Sequence, residues 1–302
     1  MEPEPVQTVL DSDSPYSGRL DWYPRHMARA MREIKERLKL VDVVLEVRDA
    51  RLPLTSGNPE LNKVLGNKKR LVVVNKANLA EEESNQLWKR WFLKQGIDSL
   101  FVNALDKRSV RGVLPVAKKL MSEKWENYKK RGIRPPPLRM MVLGIPNSGK
   151  STIINQLSGR NKVKTGKMPG VTLHQQWIVI VDNLELLDTP GVMTPSIDTE
   201  EQALMLCGIH AIKDELISIE RIANFILTRY LESEVSNLKS YYQLPEISEG
   251  NLNLFFQQLG EKKRLLLGDG KIDLEKSYRL FLEDFRKGKL GRKSFETPPD
   301  IS

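Results

Sequence analysis

The sequence predicts an α/β fold with two parts, a mostly parallel six-stranded sheet covered by helices and then a unit built from helices alone. Three observations predict it. Six short apolar runs, at 41–47, 70–75, 99–104, 138–144, 175–181 and 184–188, alternate with longer amphipathic stretches such as 82–95 and 113–130. A glycine-rich turn directly follows the fourth run and leads into a helical stretch. The strand signal stops near Pro195, after which 199–290 reads as helices over 200–207, 214–232, 251–259 and 274–287.

In chain order, residues 1–20 carry Glu2, Glu4, Asp11 and Asp13 against a single Arg19 and read as a disordered acidic tail. That charge is opposite to an arginine-rich organelle leader, and the segment lacks the apolar core of a secretory signal, so a cytoplasmic protein is expected. A helix is expected over 25–38. The apolar runs that follow are the length of strands buried on both faces, with helices as parallel crossovers. Only Asp182-Asn183 separates the last two runs, so that pair should be antiparallel. A basic, proline-rich connector, "YKKRGIRPPPLR" at 128–139, divides the sheet region internally. The expected limits are 21–195 for the sheet domain and 196–302 for the helical one, and 302 residues suffice for both.

Composition narrows the function classes. The chain is 40% hydrophobic and 29% charged, as ordinary globular proteins are. No apolar run approaches the roughly 18 residues of a membrane-spanning helix. Cys207 is the only cysteine, which excludes an intramolecular disulfide and any multi-cysteine metal site. The net charge of +9, reached despite the acidic tail, points to a polyanionic partner.

Chemistry concentrates in three motifs. "GIPNSGKST" places Gly144, then Asn147-Ser148-Gly149, then Lys150-Ser151-Thr152 between a strand and a helix. Its glycines let backbone N–H groups close on phosphates at a helix N-terminus. Lys150 supplies positive charge to the outer phosphates, and Ser151 is placed to ligate Mg²⁺. Downstream, "LELLDTPG" ends a strand in Asp188, an acid that can hold the metal through water, and Gly191, whose N–H can sense a γ-phosphate. Thr172, in the intervening "MPGVT", would complete the metal's ligands. The third motif precedes both: "RLVVVNKAN" ends a strand in Asn75-Lys76-Ala77-Asn78, and the next strand ends in Asn103-Ala104. These are positions for a guanine-reading motif and a second base-contacting loop.

The base reader thus comes before the phosphate loop, the reverse of the usual GTPase order, and the sequence reads as a circularly permuted P-loop GTPase. The chain resembles the YlqF/RbgA family of ribosome-biogenesis GTPases, whose organellar relatives act on mitochondrial ribosomes. The resemblance covers about 22–302 and includes the blocks "WYPRHMARAMREI", "VRDARLPLTSGNP", "GDGKID" and "RKGKLGRKSFETP". It implies a permuted GTPase domain followed by a helical RNA-binding domain, acting in late maturation of the large ribosomal subunit, with GTP/GDP as ligand and rRNA as partner. It also implies that His26 substitutes for the missing water-orienting side chain, because Val192 stands where Ras-like enzymes carry Gln. Asn147 matches the position that coordinates K⁺ in cation-dependent relatives. Two departures affect the base pocket. The family's Asn-Lys-x-Asp ends here in Asn78, and its Ser-Ala is Asn103-Ala104. Asp accepts two hydrogen bonds from guanine, whereas Asn78 offers one acceptor.

On the RNA side, residues 261–293 hold eleven Lys/Arg against six Asp/Glu. Lys262, Lys263, Arg264, Lys271, Arg286, Lys287, Lys289, Arg292 and Lys293 are the candidate phosphate contacts. A second patch is expected at Lys129, Lys130, Arg131 and Arg134 of the connector. Tyr278, Phe281 and Phe285 fall at helical spacing and are expected in the core. The expected activity is slow GTP hydrolysis by a monomer, stimulated by the ribosome, with Mg²⁺ and K⁺ as cofactors. The competing readings are a nucleotide-tuned RNA-binding scaffold with negligible turnover and, because of Asn78, an altered base preference or an ATPase.

Overall fold

The computed structural model describes residues 32, 34–159, 176–180, 184–188, 197, 199–212, 217–232, 235–244 and 251–299. The expected acidic tail and most of the helix expected over 25–38 lie outside the described residues; 34–37 are helical. By their contacts, the described residues form two compact units. One is the sheet unit up to β6, joined by residues from Glu296 onward; the other holds the helices between Ile197 and Phe295.

The sheet unit contains β1 (Val43–Asp49), α1 (Glu60–Leu65), β2 (Lys69–Asn75), α2 (Glu82–Lys94), β3 (Ser99–Phe101), α3 (Lys107–Arg111), α4 (Val113–Lys119), α5 (Ser122–Lys130), β4 (Leu138–Gly144), α6 (Lys150–Ser158), β5 (Gln176–Ile180) and β6 (Leu184–Asp188). The six strands lie in the order β3-β2-β1-β4-β6-β5. All neighbours are parallel except β5 and β6, the antiparallel pair expected from the tight turn between them.

Helices on both faces explain why residues of both parities in the strands are mostly apolar. Val43, Leu45, Val47, Leu71, Val73, Met140 and Val142 point to one face, where Val110, Val113, Ala117, Ile153, Ile154 and Leu157 of the helices cover them. Residues of the other parity face two further clusters. Val44, Met141, Leu143 and Leu187 meet Ile34, Leu38, Leu61 and Leu65. Val72 and Val74 meet Trp88 and Phe92 of α2. Glu46 interrupts this pattern; it is buried, and Arg48 (2.8 Å) and Arg70 (3.3 Å) neutralise it.

The second unit contains α7 (Glu200–Gly208), α8 (Ile219–Leu231), α9 (Val235–Tyr242), α10 (Leu252–Lys262) and α11 (Leu274–Arg286). Side-chain caps fix four helix starts: Thr199, Ser218, Asn251 and Asp273 each accept an N–H from the residue three positions on. An aromatic core joins them, with Phe256 against Tyr278 (4.5 Å between ring centroids) and Phe281 (5.5 Å), and Tyr230 against Phe285 (6.2 Å). Tyr278, Phe281 and Phe285 are buried in it, as their spacing predicts.

Candidate nucleotide site

Open parallel sheets bind ligands beyond the carboxyl ends of their strands. Here the register sets Val47 beside Gly144 and Asp49 beside Asn75, which brings the ends of β4, β1 and β2 together. The phosphate loop leaves β4 with two backbone requirements. A Cβ on Gly144 would lie 2.3 Å from the Val47 carbonyl oxygen, and one on Gly149 would lie 2.2 Å from Nδ2 of Asn75. Gly149 also has φ +95°, a conformation open chiefly to glycine. Asn147 has φ +56°, which asparagine tolerates better than most residues.

Within the loop, the Ser148 hydroxyl donates to the Ile145 carbonyl (2.9 Å), and the largely buried Lys150 ammonium donates to the same oxygen (2.8 Å). Ser151 and Thr152 are half-buried on the first turn of α6. This arrangement, with side chains absent where they would close the loop, a lysine folded across it and hydroxyls at a helix N-terminus, fits a polyphosphate and its divalent cation. Of the other expected metal ligands, Asp188 ends β6, paired with Val142 and Gln176, which puts its backbone beside the phosphate-loop strand. Its side chain, Thr172, Gly191 and His26 lie outside the described residues.

The base motif is built into the same crevice. Asn75 is buried and bridges two loops: its Nδ2 donates to the Ser148 carbonyl (2.8 Å), and its Oδ1 accepts from the Ala104 N–H (2.9 Å). One side chain therefore joins the phosphate loop to the second base loop. Asn103 shapes that loop by accepting from the Leu105 N–H (3.0 Å), while its own N–H donates to the Ser109 hydroxyl (3.0 Å). The Ala77 N–H donates to the Val102 carbonyl (3.0 Å), and its carbonyl accepts from Asn85 Nδ2 (2.9 Å). Asn78, on the short turn after Lys76, is exposed.

Lys76 has left-handed backbone (φ +60°), and its ammonium pairs with Asp49 at 2.8 Å. Asp49 is fully buried and also takes both Nε (2.9 Å) and Nη2 (2.8 Å) of Arg51. Burial alone would raise the Asp49 carboxyl, but the charges of Arg51 and Lys76 outweigh it and hold the group well below the usual carboxylate range. Burial pushes Lys76 down from the ordinary lysine value, against the pull of Asp49. The quoted block "VRDARLP" contains this acid and arginine, but adjacency in sequence gives no sign that they reach a lysine just beyond the end of β2.

A family described as 50S ribosome-binding GTPase matches residues 139–244. Ribosome biogenesis GTPase A of Bacillus licheniformis is 40% identical over 93% of this chain and 99% of its own length. The chain belongs to the ribosome biogenesis GTPase A family. Ribosome biogenesis GTPase A of Thermotoga maritima is 31% identical over 94% of this chain and 96% of its own. Mitochondrial ribosome-associated GTPase 1 of Bos taurus is 30% identical over 95% of this chain and 92% of its own. A crystal structure of GNP-bound YlqF from T. maritima superposes with a TM-score of 0.61 at 29% identity, covering 90% of this chain and all of that one. The matched span starts in β4 and leaves Asn75–Asn78 and Asn103 upstream, as the permuted order of this GTPase family requires.

The structure divides the nine candidate RNA contacts of this ribosome biogenesis GTPase. Lys262, Lys263, Arg264 and Arg292 are exposed. Lys271, Lys287 and Lys289 are exposed but ion-paired, with Asp269 (3.0 Å), Glu283 (2.6 Å) and Asp284 (2.7 Å). Lys293 is buried. Arg286 is committed elsewhere, donating from Nε to the Gly208 carbonyl and from Nη2 to the Cys207 carbonyl, both at 2.9 Å. Leu266 and Leu267, 48% and 47% exposed, stand in the turn between Arg264 and Lys271; sequence patterning missed them because a run of leucines, here 265–267, reads as core. Lys129, Lys130, Arg131 and Arg134 of the connector are all exposed.

Proposed function

We propose that the chain binds and hydrolyses GTP as an assembly factor for the large ribosomal subunit. The GTP-bound protein docks on immature subunits and rRNA, as a monomer in the cytoplasm, and hydrolysis releases it. One observation carries this reading: Asn75 ties the phosphate loop to the second base loop, in a chain 40% identical to Ribosome biogenesis GTPase A. Lys150 and the N–H groups at the start of α6 neutralise the phosphates and orient the nucleotide for attack. Ser151, Thr172 and Asp188 would hold Mg²⁺, which supplies further positive charge as negative charge shifts toward the leaving oxygen. Asn147 is the residue that would ligate K⁺. Val192 cannot hydrogen-bond water, so His26 positions the attacking water, and the subunit stimulates slow intrinsic turnover.

Single-turnover hydrolysis of GTP, with and without large subunits in K⁺ or Na⁺ buffer, tests this. Stimulation by subunits is expected, together with a dependence on K⁺ that Asn147→Ala removes. Nucleotide-dependent subunit binding without a burst would instead establish a scaffold. The base preference has its own test. At Asn78 the missing charge-assisted bond and one unpaired donor should cost roughly 2–4 kcal/mol in GTP binding. Asn78→Asp should tighten GTP and weaken XTP in a competition panel that includes ATP and GDP; unchanged GTP affinity would refute this account of the pocket.

A further inference from the structure

The 50–57 loop leaves β1 at the nucleotide site and is held at three points. The Asp49 N–H donates to the Ser56 hydroxyl (2.9 Å). Arg48, with its guanidinium 5.6 Å from the Phe92 ring centroid, donates through Nη1 to the Pro53 carbonyl (2.9 Å). The third hold comes from a residue 242 positions along the chain: the Glu296 carboxylate accepts the N–H groups of Leu54 (2.8 Å) and Thr55 (3.0 Å). The carbonyl of Glu296 in turn accepts from Nε1 of Trp88 in α2 (3.2 Å), so the tail is anchored by both side chain and backbone. Glu296 is bonded to Phe295, the last residue of the helical unit, yet it packs within the sheet unit. Burial pushes its carboxyl up, partly offset by the donors of the loop.

We infer that Glu296 is a positioning residue for the nucleotide site, fixing the 50–57 loop and, through it, the carboxylate of Asp49 that holds Lys76 of the base motif. This rests on the nucleotide-binding reading given above. The path is short and polar at every step. Glu296 holds the amides of residues 54 and 55; the hydroxyl of the next residue, Ser56, accepts the Asp49 N–H; and the Asp49 carboxylate grips the Lys76 ammonium. Lys76 adjoins Asn75, which spans both nucleotide loops.

The test uses the full chain with Glu296→Ala and Glu296→Gln, reading GDP affinity by calorimetry and amide exchange without nucleotide. Glu296→Ala should raise the Kd for GDP about ten-fold, and Glu296→Gln, which keeps one acceptor, about three-fold. Amide exchange should quicken at 54, 55, 49 and 76–79, with 200–286 unchanged. A purely structural role would quicken exchange across the whole sheet unit and lower the melting temperature without a separate loss of affinity, which would overturn the inference. It would equally be overturned if exchange rose only at 54 and 55 while GDP affinity stayed within two-fold. If Glu296→Ala does not fold, the Gln variant decides by the same readouts. Should the wild type fail to bind GDP, the nucleotide reading falls, and exchange at Asp49 and 76–79 still shows whether Glu296 positions them.

Discussion

Asn75 and Gly149 form a pair that neither makes sense of alone. The Asn75 amide reaches the Ser148 carbonyl across space that any Cβ at 149 would occupy. Asn75→Ala would strand a buried carbonyl and a buried N–H, at roughly 1–3 kcal/mol each. It should therefore weaken GDP binding and lower the urea midpoint together, and Asn75→Asp should lose at least as much of both, because a buried carboxylate oxygen would face the Ser148 carbonyl beside the phosphate loop. Asp49 makes a pH prediction. Its folded carboxyl is held below its unfolded value, so it releases its proton more readily in the folded state. The resulting stability is complete above the ordinary aspartate value near ~4 and is lost as pH falls from there through the folded value. Urea unfolding of Asp49→Asn against wild type should show the variant less stable at neutral pH, with the difference shrinking below about pH 4. A difference constant with pH would mean that the ion pairs with Arg51 and Lys76 contribute nothing.

Among the elements, β4 and α7 show what patterning can and cannot reveal. The apolar run at 138–144 and the glycines after it were legible because period-two burial and tight turns are local properties, and β4 forms over the expected residues. The stretch at 113–130, expected as one helix, is two, α4 and α5, which adjoin at Leu120 and Met121. The helix expected over 214–232 runs Ile219–Leu231 among the described residues, and α9 was missed because its eight residues are too short for a clear apolar stripe. Contacts between distant segments were hidden altogether. Arg286, taken from charge as an RNA contact, puts its guanidinium on the last carbonyls of α7, where a cation and a donor are both favourable. Arg286→Met keeps the stem and removes the donors, so it should destabilise the helical unit by about 1–2 kcal/mol in urea unfolding. Binding of rRNA per folded molecule should not change; a loss of affinity at full folding would return Arg286 to the RNA surface. Asp49 and Glu296 were hidden for the same reason, since each acquires its role from a partner beyond the end of another strand or at the far end of the chain.

Across the whole molecule the surplus of +9 is unevenly committed. In the helical unit, ion pairs take up Lys271, Lys287 and Lys289, while Lys262, Lys263 and Arg264 stand exposed at the end of α10, beside the exposed Leu266 and Leu267. Cations that already hold a carboxylate release fewer counterions on binding RNA than solvated ones, so this turn should dominate the salt dependence. Each phosphate neutralised contributes about 0.7–0.9 to the slope of log K against log salt. Replacing Lys262, Lys263 and Arg264 by Ala should therefore reduce that slope by about 2–3 in rRNA binding titrations. Intrinsic GTP hydrolysis should be unchanged, because the nucleotide loops belong to the other unit. Leu266→Ser with Leu267→Ser should weaken rRNA binding without altering the slope, because apolar contacts with bases release no counterions. A flat salt response in the wild type would remove the phosphate backbone as the partner of this surface.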